Sequence, residues 1–225
     1  MQPKIEFISA TPCTQQEFSK TLLGRSFQRL QHESRMCATV AFANRRGLSE
    51  VYNEQIRAKS DPDMVIFVHD DVWIDDYFIY ERIIEGLEQF DIIGVAGNTR
   101  MTEGHTTWFK KKNNEWDAEH LSGRIAFGEP PFLSVLHYGE VRQNCVLMDG
   151  VFFATRRSTL IKNNVFFDPQ FKFHFYDLDF CRTAHAAGLS MGTWPIAISH
   201  SSDGAFGSPS WQEGARLYRR KWPTP

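Results

Sequence analysis

The chain has 225 residues, is 42% hydrophobic and 14% aromatic, and carries 25 Lys+Arg against 27 Asp+Glu for a net charge of −2. That length suits one large α/β domain with a substantial core, and a 23% charged fraction argues against disorder. The near-neutral balance excludes nucleic acid as an expected partner.

Ile5–Ala10 reads as a first strand, and Gln15–Leu30 as a helix broken only by Gly24. Ala38–Ala43 is a second, buried strand. Ser49–Lys59 has helical spacing with Ser49 as N-cap, followed by an Asp61-Pro62-Asp63 turn. Met64–Val68 (MVIFV) is a continuous apolar run, as expected of a strand covered on both faces. Tyr77–Gln89 reads as a helix and Asp91–Ala96 as a fourth strand.

Strands alternating with helices predict a mostly parallel, Rossmann-like central sheet flanked by helices. Such sheets bind ligands beyond the carboxyl ends of their strands, so the residues after Val68 are the first place to look. Beyond residue 97 the pattern loosens. Asn98–Leu136 is polar, Gly-rich and aromatic, with a basic run at Lys110–Lys112, and reads as loops or an insertion covering a site. Val146–Ala154 is strand-like. Tyr176–Ala187 is helical and ends at Gly188. Trp194–Ile198 is a further apolar run. Ser208-Pro209 opens a last helix carrying Arg216, Arg219, Arg220 and Lys221.

No apolar run approaches the roughly 20 residues of a membrane span, and the N-terminus lacks a signal-peptide core. Cys13, Cys37, Cys145 and Cys181 form no CxxC pair, which fits reduced thiols and a cytoplasmic setting. The basic last helix leaves contact with a membrane surface or a diphosphate open, against a plain solvated face.

His69, Asp70 and Asp71 place three metal-competent groups at the end of Met64–Val68. Two buried adjacent carboxylates need a cation or hydrogen bonds, and oxygen ligands with an imidazole suit Mg²⁺ or Mn²⁺; the alternative is a capped strand-to-helix turn. Asp177 and Asp179 fall in the first turn of a helix. The N-terminal amides there favour the charged form, so an ionised Asp is expected, able to serve as a base. At i and i+2 the two carboxylates point roughly 200° apart, so at most one faces a given ligand. His200 ends an apolar run and becomes a ligand only if it converges with Asp71. Asn44 and Asn53 fit either a base or ribose edge or a local cap. There is no Walker A loop, no GxGxxG after the first strand and no GxSxG elbow.

In order, Gly47–Asn53 (GLSEVYN), Phe67–Asp71 (FVHDD), Asp149–Phe153 (DGVFF), Phe175–Arg182 (FYDLDFCR) and Ile198–His200 (ISH) resemble the family 2 type of inverting glycosyltransferases with the GT-A fold. The branch related to streptomycin-biosynthesis glycosyltransferase-like proteins is the most similar. The resemblance implies one GT-A domain over residues 1–225, with a nucleotide-binding half, 1–97, and an acceptor-binding and catalytic half, 98–225. It implies a metal-dependent, inverting transfer from a UDP-, GDP- or dTDP-sugar to a hydroxyl of a glycan or other acceptor, in bacterial polysaccharide or glycoconjugate synthesis.

Residue by residue, His69-Asp70-Asp71 stands where the family has its DxD motif. Asp71 and His200 would hold Mn²⁺ or Mg²⁺, with Asp70 or His69 on the ribose or the metal. Asp177 matches the catalytic base, although Tyr176 replaces the Glu that usually precedes it. Ser9, Ala10, Asn44 and Asn53 would line the nucleotide pocket, and Asp149 would face the acceptor. The aromatic Trp108–Phe132 stretch, with Trp108 against the acceptor, fits either an acceptor lid, since aromatic faces suit sugar rings, or plain packing. Arg216 or Arg219 would assist the diphosphate. A nucleotidyltransferase is disfavoured because Ser9-Ala10-Thr11-Pro12 offers no basic, Gly-rich phosphate loop. A non-catalytic nucleotide-sugar or carbohydrate binding module is the remaining alternative.

Overall fold

A computed structural model describes residues 2–58, 62–101, 106–128, 130, 133–202 and 206–223. Lys59, Asp61 and Phe132, which the sequence reading used, lie outside them.

Two six-stranded sheets organise the chain. The first contains β1 (Ile5–Ala10), β2 (Met36–Ala41), β3 (Met64–Val68), β5 (Ile92–Gly94), β10 (Phe152–Arg156) and β11 (Met191–Thr193), in the order β11-β5-β10-β3-β1-β2. All run the same way except β10, which is antiparallel to both β3 and β5. β1 and β3 are buried along their whole length and β10 along all but its last residue, and β3 is apolar throughout, as for a strand covered on both faces. The second sheet contains β4 (Val72–Ile74), β6 (Ala96–Asn98), β7 (Leu121–Phe127), β8 (Ser134–Gly139), β9 (Leu147–Met148) and β12 (Ile198–His200). Its path is β4-β12-β7-β6-β9, with β8 paired to β7.

The helices are α1 (Gln15–Phe18), α2 (Leu22–Arg29), α3 (Leu48–Arg57), α4 (Ile79–Leu87), α5 (Arg157–Lys162), α6 (Tyr176–Ala186) and α7 (Pro209–Lys221). The expected helix 15–30 is two helices, and the break is not at Gly24. It falls before Leu22, where the Thr21 hydroxyl caps a new start by accepting from the Gly24 amide. Gly24 lies inside α2, where a Cβ would sit 1.9 Å from the Phe18 carbonyl oxygen. β2 is a half-exposed edge strand rather than a buried one. Ser49 does not cap α3: Gly47 occupies that position, and the Ser49 hydroxyl donates to Phe171 O at 2.6 Å.

Two predicted strands each divide between the sheets. Residues 91–96 split at Val95 into β5 and β6, and 146–154 split at Asp149–Val151 into β9 and β10. Asn98–Leu136, expected as loops or an insertion, contains β7 and the start of β8, which pair antiparallel. The last helix starts as predicted, with Ser208 as N-cap and Pro209 in the first turn. Among the described residues no helix is long and apolar enough to cross a membrane.

Candidate active site

The two sheets meet where β3 ends. His200 closes β12, and β12 pairs antiparallel with β4, setting His200 opposite Val72 and so beside Asp71. The Ser201 amide donates to Asp71 O at 3.2 Å, holding the two segments together. On the other side, β10 lies antiparallel to β3 with Phe152 opposite Val68, and the His69 amide donates to Val151 O at 3.2 Å. The Asp149-Gly150 turn that links the sheets therefore lands beside His69.

The result is a three-residue cluster. One ligand atom each of His69, Asp71 and His200 lies within 4.8 Å of the others. His200 Nε2 is 3.2 Å from Asp71 Oδ1 and 3.2 Å from the Ser202 hydroxyl. Burial pushes the Asp71 carboxyl up, but hydrogen bonding and charge from His200 outweigh it and hold the pKa at about 2. Burial drives the His69 pKa down, so its imidazole stays neutral. The Tyr176 hydroxyl donates to Gly150 O at 2.6 Å and therefore accepts from His69 Nε2–H at 2.8 Å. That network assigns the proton to Nε2 and leaves Nδ1 with its lone pair. Two neutral-capable imidazoles and one ionised carboxylate form a donor set fit for a divalent transition metal.

Asp177 stands next to this cluster at the start of α6. Phe175, the N-cap, has φ 67°, an unusual left-handed conformation for an aromatic residue. Packing of its ring on Trp211 and Tyr218 holds it there, and the turn aims Tyr176 and Asp177 into the cleft. Gly150 permits this approach: a Cβ would sit 2.5 Å from the Tyr176 hydroxyl and 2.6 Å from Asp177 Cβ. The Gly150 amide donates to Asp177 Oδ2 at 3.2 Å. Contrary to the expected low value, the Asp177 pKa is raised to about 7. Burial is the main cause and the Asp149 charge adds to it, together outweighing the backbone amides of Leu178, Gly150 and Asp177. Asp179 faces away from the cleft, fully buried, with Lys221 Nζ at 2.8 Å and Trp222 Nε1 at 2.8 Å on its carboxylate.

His69, Asp149, Tyr176, Asp177 and His200 line a cleft of about 290 Å³. Its outer wall is aromatic, with Trp108, Phe109, Trp116, Tyr138, Phe206 and Trp211. Trp108 is buried, and its indole N–H donates to Asp149 Oδ2 at 3.0 Å. The rings open to solvent at the mouth are Trp116, Phe173 and Phe206. Phe173 and Phe206 carried no sequence signal strong enough to assign them these positions, whereas His69, expected on the ribose or the metal, lies in the cluster with Asp71 and His200.

Other sequence candidates fall outside the cleft lining. Asn53 is buried, with its amide donating to Phe167 O at 2.6 Å and accepting from Phe167 N at 3.0 Å, which ties α3 to the segment before α6. The Asn44 side chain closes a local turn with the backbone of Arg46. Ser9 and Ala10 are buried at the end of β1, and the Ser9 hydroxyl has no partner among the described residues. Asp70 is half-buried between the two cluster residues, its carbonyl accepting from Leu23 N at 3.3 Å. Arg216 is paired with Glu213 at 2.6 Å on the exposed face of α7 and does not line the cleft; Arg219 lines a neighbouring cavity.

The fold is similar to that of S. aureus TarS. The structure of its residues 1–349 in complex with UDP-GlcNAc matches with a TM-score of 0.50 at 14% identity, covering 90% of this chain and 59% of that one. The complex with UDP matches with a TM-score of 0.50 at 13% identity, covering 94% of this chain and 63% of that one. This chain thus spans about three fifths of the length of these solved structures, and the likeness establishes the α/β GT-A architecture. No curated protein matches the chain by sequence. The model of the Glycosyltransferase like family matches residues 25–199, a span that includes His69, Asp71 and Asp177, and the chain belongs to that family.

Proposed function

We propose that this glycosyltransferase is metal-dependent and inverting, and that it moves a sugar from a nucleotide-sugar donor to an acceptor hydroxyl. The observation that carries the reading is the convergence, on one cleft, of the His69–Asp71–His200 cluster with a separate carboxylate, Asp177. His69, Asp71 and His200 would hold a divalent cation, which when bound would neutralise charge on a departing diphosphate. Asp177 accepts the proton of the acceptor hydroxyl as that oxygen bonds to the anomeric carbon. The bond from that carbon to the diphosphate oxygen breaks, and the diphosphate leaves with the electron pair. Attack opposite the leaving group inverts the centre. A base with a pKa near 7 is matched to this task at neutral pH. Asp149 orients the cleft wall through Trp108, and its charge raises the proton affinity of Asp177.

On this reading residues 1–97 form the donor half and supply His69 and Asp71, with His200 returning from the second half. A UDP-sugar is the first donor to test, because the similar TarS structures hold UDP-GlcNAc and UDP. Four free cysteines fit a reducing, cytoplasmic setting for the reaction. The test is turnover of a UDP-, GDP- and dTDP-sugar panel with Mn²⁺, then with EDTA, with the product's anomeric configuration read by NMR. Donor-dependent turnover that EDTA abolishes and Mn²⁺ restores, giving the inverted anomer, is expected. Ligand binding without turnover across a broad acceptor set would instead favour a binding module.

A further inference from the structure

Beside the catalytic cleft lies a second cavity of about 730 Å³. Among the described residues its lining includes five cations and no carboxylate: Lys110, Lys111, Lys112, Arg182 and Arg219. This is a marked local excess in a chain whose net charge is −2. The cations come from three places. Lys110–Lys112 sit on a turn closed by Lys111 N to Glu115 O at 2.8 Å, Arg182 lies on α6, and Arg219 lies on α7. Their neighbours Arg216 and Lys221 are neutralised by Glu213, Asp168 and Asp179, whereas these five have no ion pair among the described residues. Lys110 Nζ rests on Asn114 Oδ1 at 3.0 Å, and the Arg182 guanidinium lies 4.6 Å above the Trp222 ring. The positive charge is therefore aimed into the cavity, next to the aromatic faces of Trp211, Tyr218 and Trp222.

The cavity adjoins the catalytic cleft, for both are lined by Thr106, Thr107, Phe109, Phe206 and Trp211. It does not include His69, Asp71 or His200, so its charge is not directed at a diphosphate held by that cluster. A molecule with its hydroxyl at Asp177 would extend along the shared wall into the basic cavity. We infer that the acceptor is an anionic glycan, carrying a phosphate or carboxylate that Lys110–Lys112, Arg182 and Arg219 hold beyond the reacting hydroxyl. Arginine forks and lysine ammoniums both suit these oxyanions, and the aromatic rings suit the sugar between them. A concave site adjoining the cleft favours a glycan over a flat lipid surface. The word acceptor rests on the transferase reading; the anion site itself does not.

The test measures binding to the full chain by calorimetry at about 50 and 300 mM NaCl, a range over which screening shortens strongly. The probes are tetragalacturonate, a phosphorylated maltotetraose and neutral maltotetraose, with anionic phosphatidylglycerol vesicles as a fourth arm. The variants are Arg219→Glu and the double Lys111→Glu/Lys112→Glu, with Arg219 and Lys112 exposed and Lys111 half-buried, each checked for an unchanged melting temperature. At least one charged tetramer is expected to bind ten-fold or more tighter than the neutral one at low salt. That advantage should shrink at high salt and vanish in both variants, while Mn²⁺-dependent UDP binding stays unchanged. Preference for the carboxylate or the phosphate names the anion.

Equal affinity for charged and neutral tetramers overturns the inference, as does charged binding that survives both variants. Loss of UDP binding in the variants reassigns the cations to the donor and equally overturns it. Vesicle binding without glycan binding makes the cavity a membrane contact. Donor turnover in the unmodified chain tests the transferase reading separately, so either idea can fail while the other stands.

Discussion

At Asp177 two environments oppose each other. The start of α6 offers amides that favour the carboxylate, while burial and the Asp149 charge favour the acid, and the second pair wins, with a pKa at about 7. Activity should therefore rise as pH increases through about 7 and approach a plateau by pH 8, measured as kcat with donor and metal saturating. Replacing Asp177 with Asn should lower kcat by ~10²–10⁴-fold, the usual worth of a positioned base, and leave donor Kd nearly unchanged. The same raised pKa has a stability consequence. A carboxyl whose folded pKa exceeds its unfolded value of about 4 supports the fold below pH 4 and loses that support as pH rises through 7. Asp177→Asn should accordingly raise Tm more at pH 8 than at pH 5; an equal shift at both would contradict the assignment.

The cluster makes a second prediction at this scale. Two imidazole nitrogens favour Mn²⁺ over Mg²⁺, which prefers oxygen donors. Mn²⁺ should bind at least ~10-fold more tightly than Mg²⁺ by electron paramagnetic resonance titration, and His69→Asp should narrow the gap. Tyr176→Phe removes the hydroxyl that fixes the His69 tautomer and should weaken Mn²⁺ binding by ~10–100-fold, the usual cost of a ligand's outer partner.

Among the elements, α6 does the most positioning. One face presents Tyr176 and Asp177 to the cleft, and the other buries Asp179 against Lys221 and Trp222 of the α7 end. The i and i+2 spacing dictates this division, which is why only one of the two carboxylates is available for chemistry. Asp179→Ala would leave Lys221 with Asp168 alone and Trp222 Nε1 without its acceptor. A fall in Tm is expected with little change in kcat. Gly150→Ala should do the reverse of a neutral change: its methyl would displace Tyr176 and Asp177 together, lowering kcat and Mn²⁺ affinity in one variant. The long strands β1 and β3 and the helices α4, α6 and α7 follow from apolar runs and capping residues. The splits of 91–96 and 146–154 do not, because their apolar content is continuous and the change of sheet is a tertiary choice. Edge strand β2 reads as buried for a similar reason: composition does not say which strand ends a sheet.

For the whole molecule, the buried Glu6–Arg157 ion pair ties β1 to α5 across 151 positions of sequence, and Arg157 also donates to the carbonyls of Gln55 and Pro62. Removing only the Glu6 charge would strand a buried guanidinium, at a cost of about 3–5 kcal/mol. Glu6→Gln should therefore lower the urea midpoint sharply without altering the preference for Mn²⁺. The sequence by itself determined the α/β alternation, the buried third strand with its acidic end, the helix starting at Tyr176 and the capped final helix. These are local matters of periodicity, apolar runs and caps. It also determined the identities of Asp71, Asp177 and His200 as chemically apt groups, and their order resembled one family. Only the tertiary structure decided that they meet. Pairing of β12 with β4 carries His200 to Asp71, and pairing of β10 with β3 carries Gly150 to Tyr176 and His69. The fates of Asn53 and Arg216 were decided the same way, by which backbone or carboxylate lay within reach. So was the shift of Asp177 toward neutrality, because proximity and burial across distant segments set the electrostatics that no local pattern encodes.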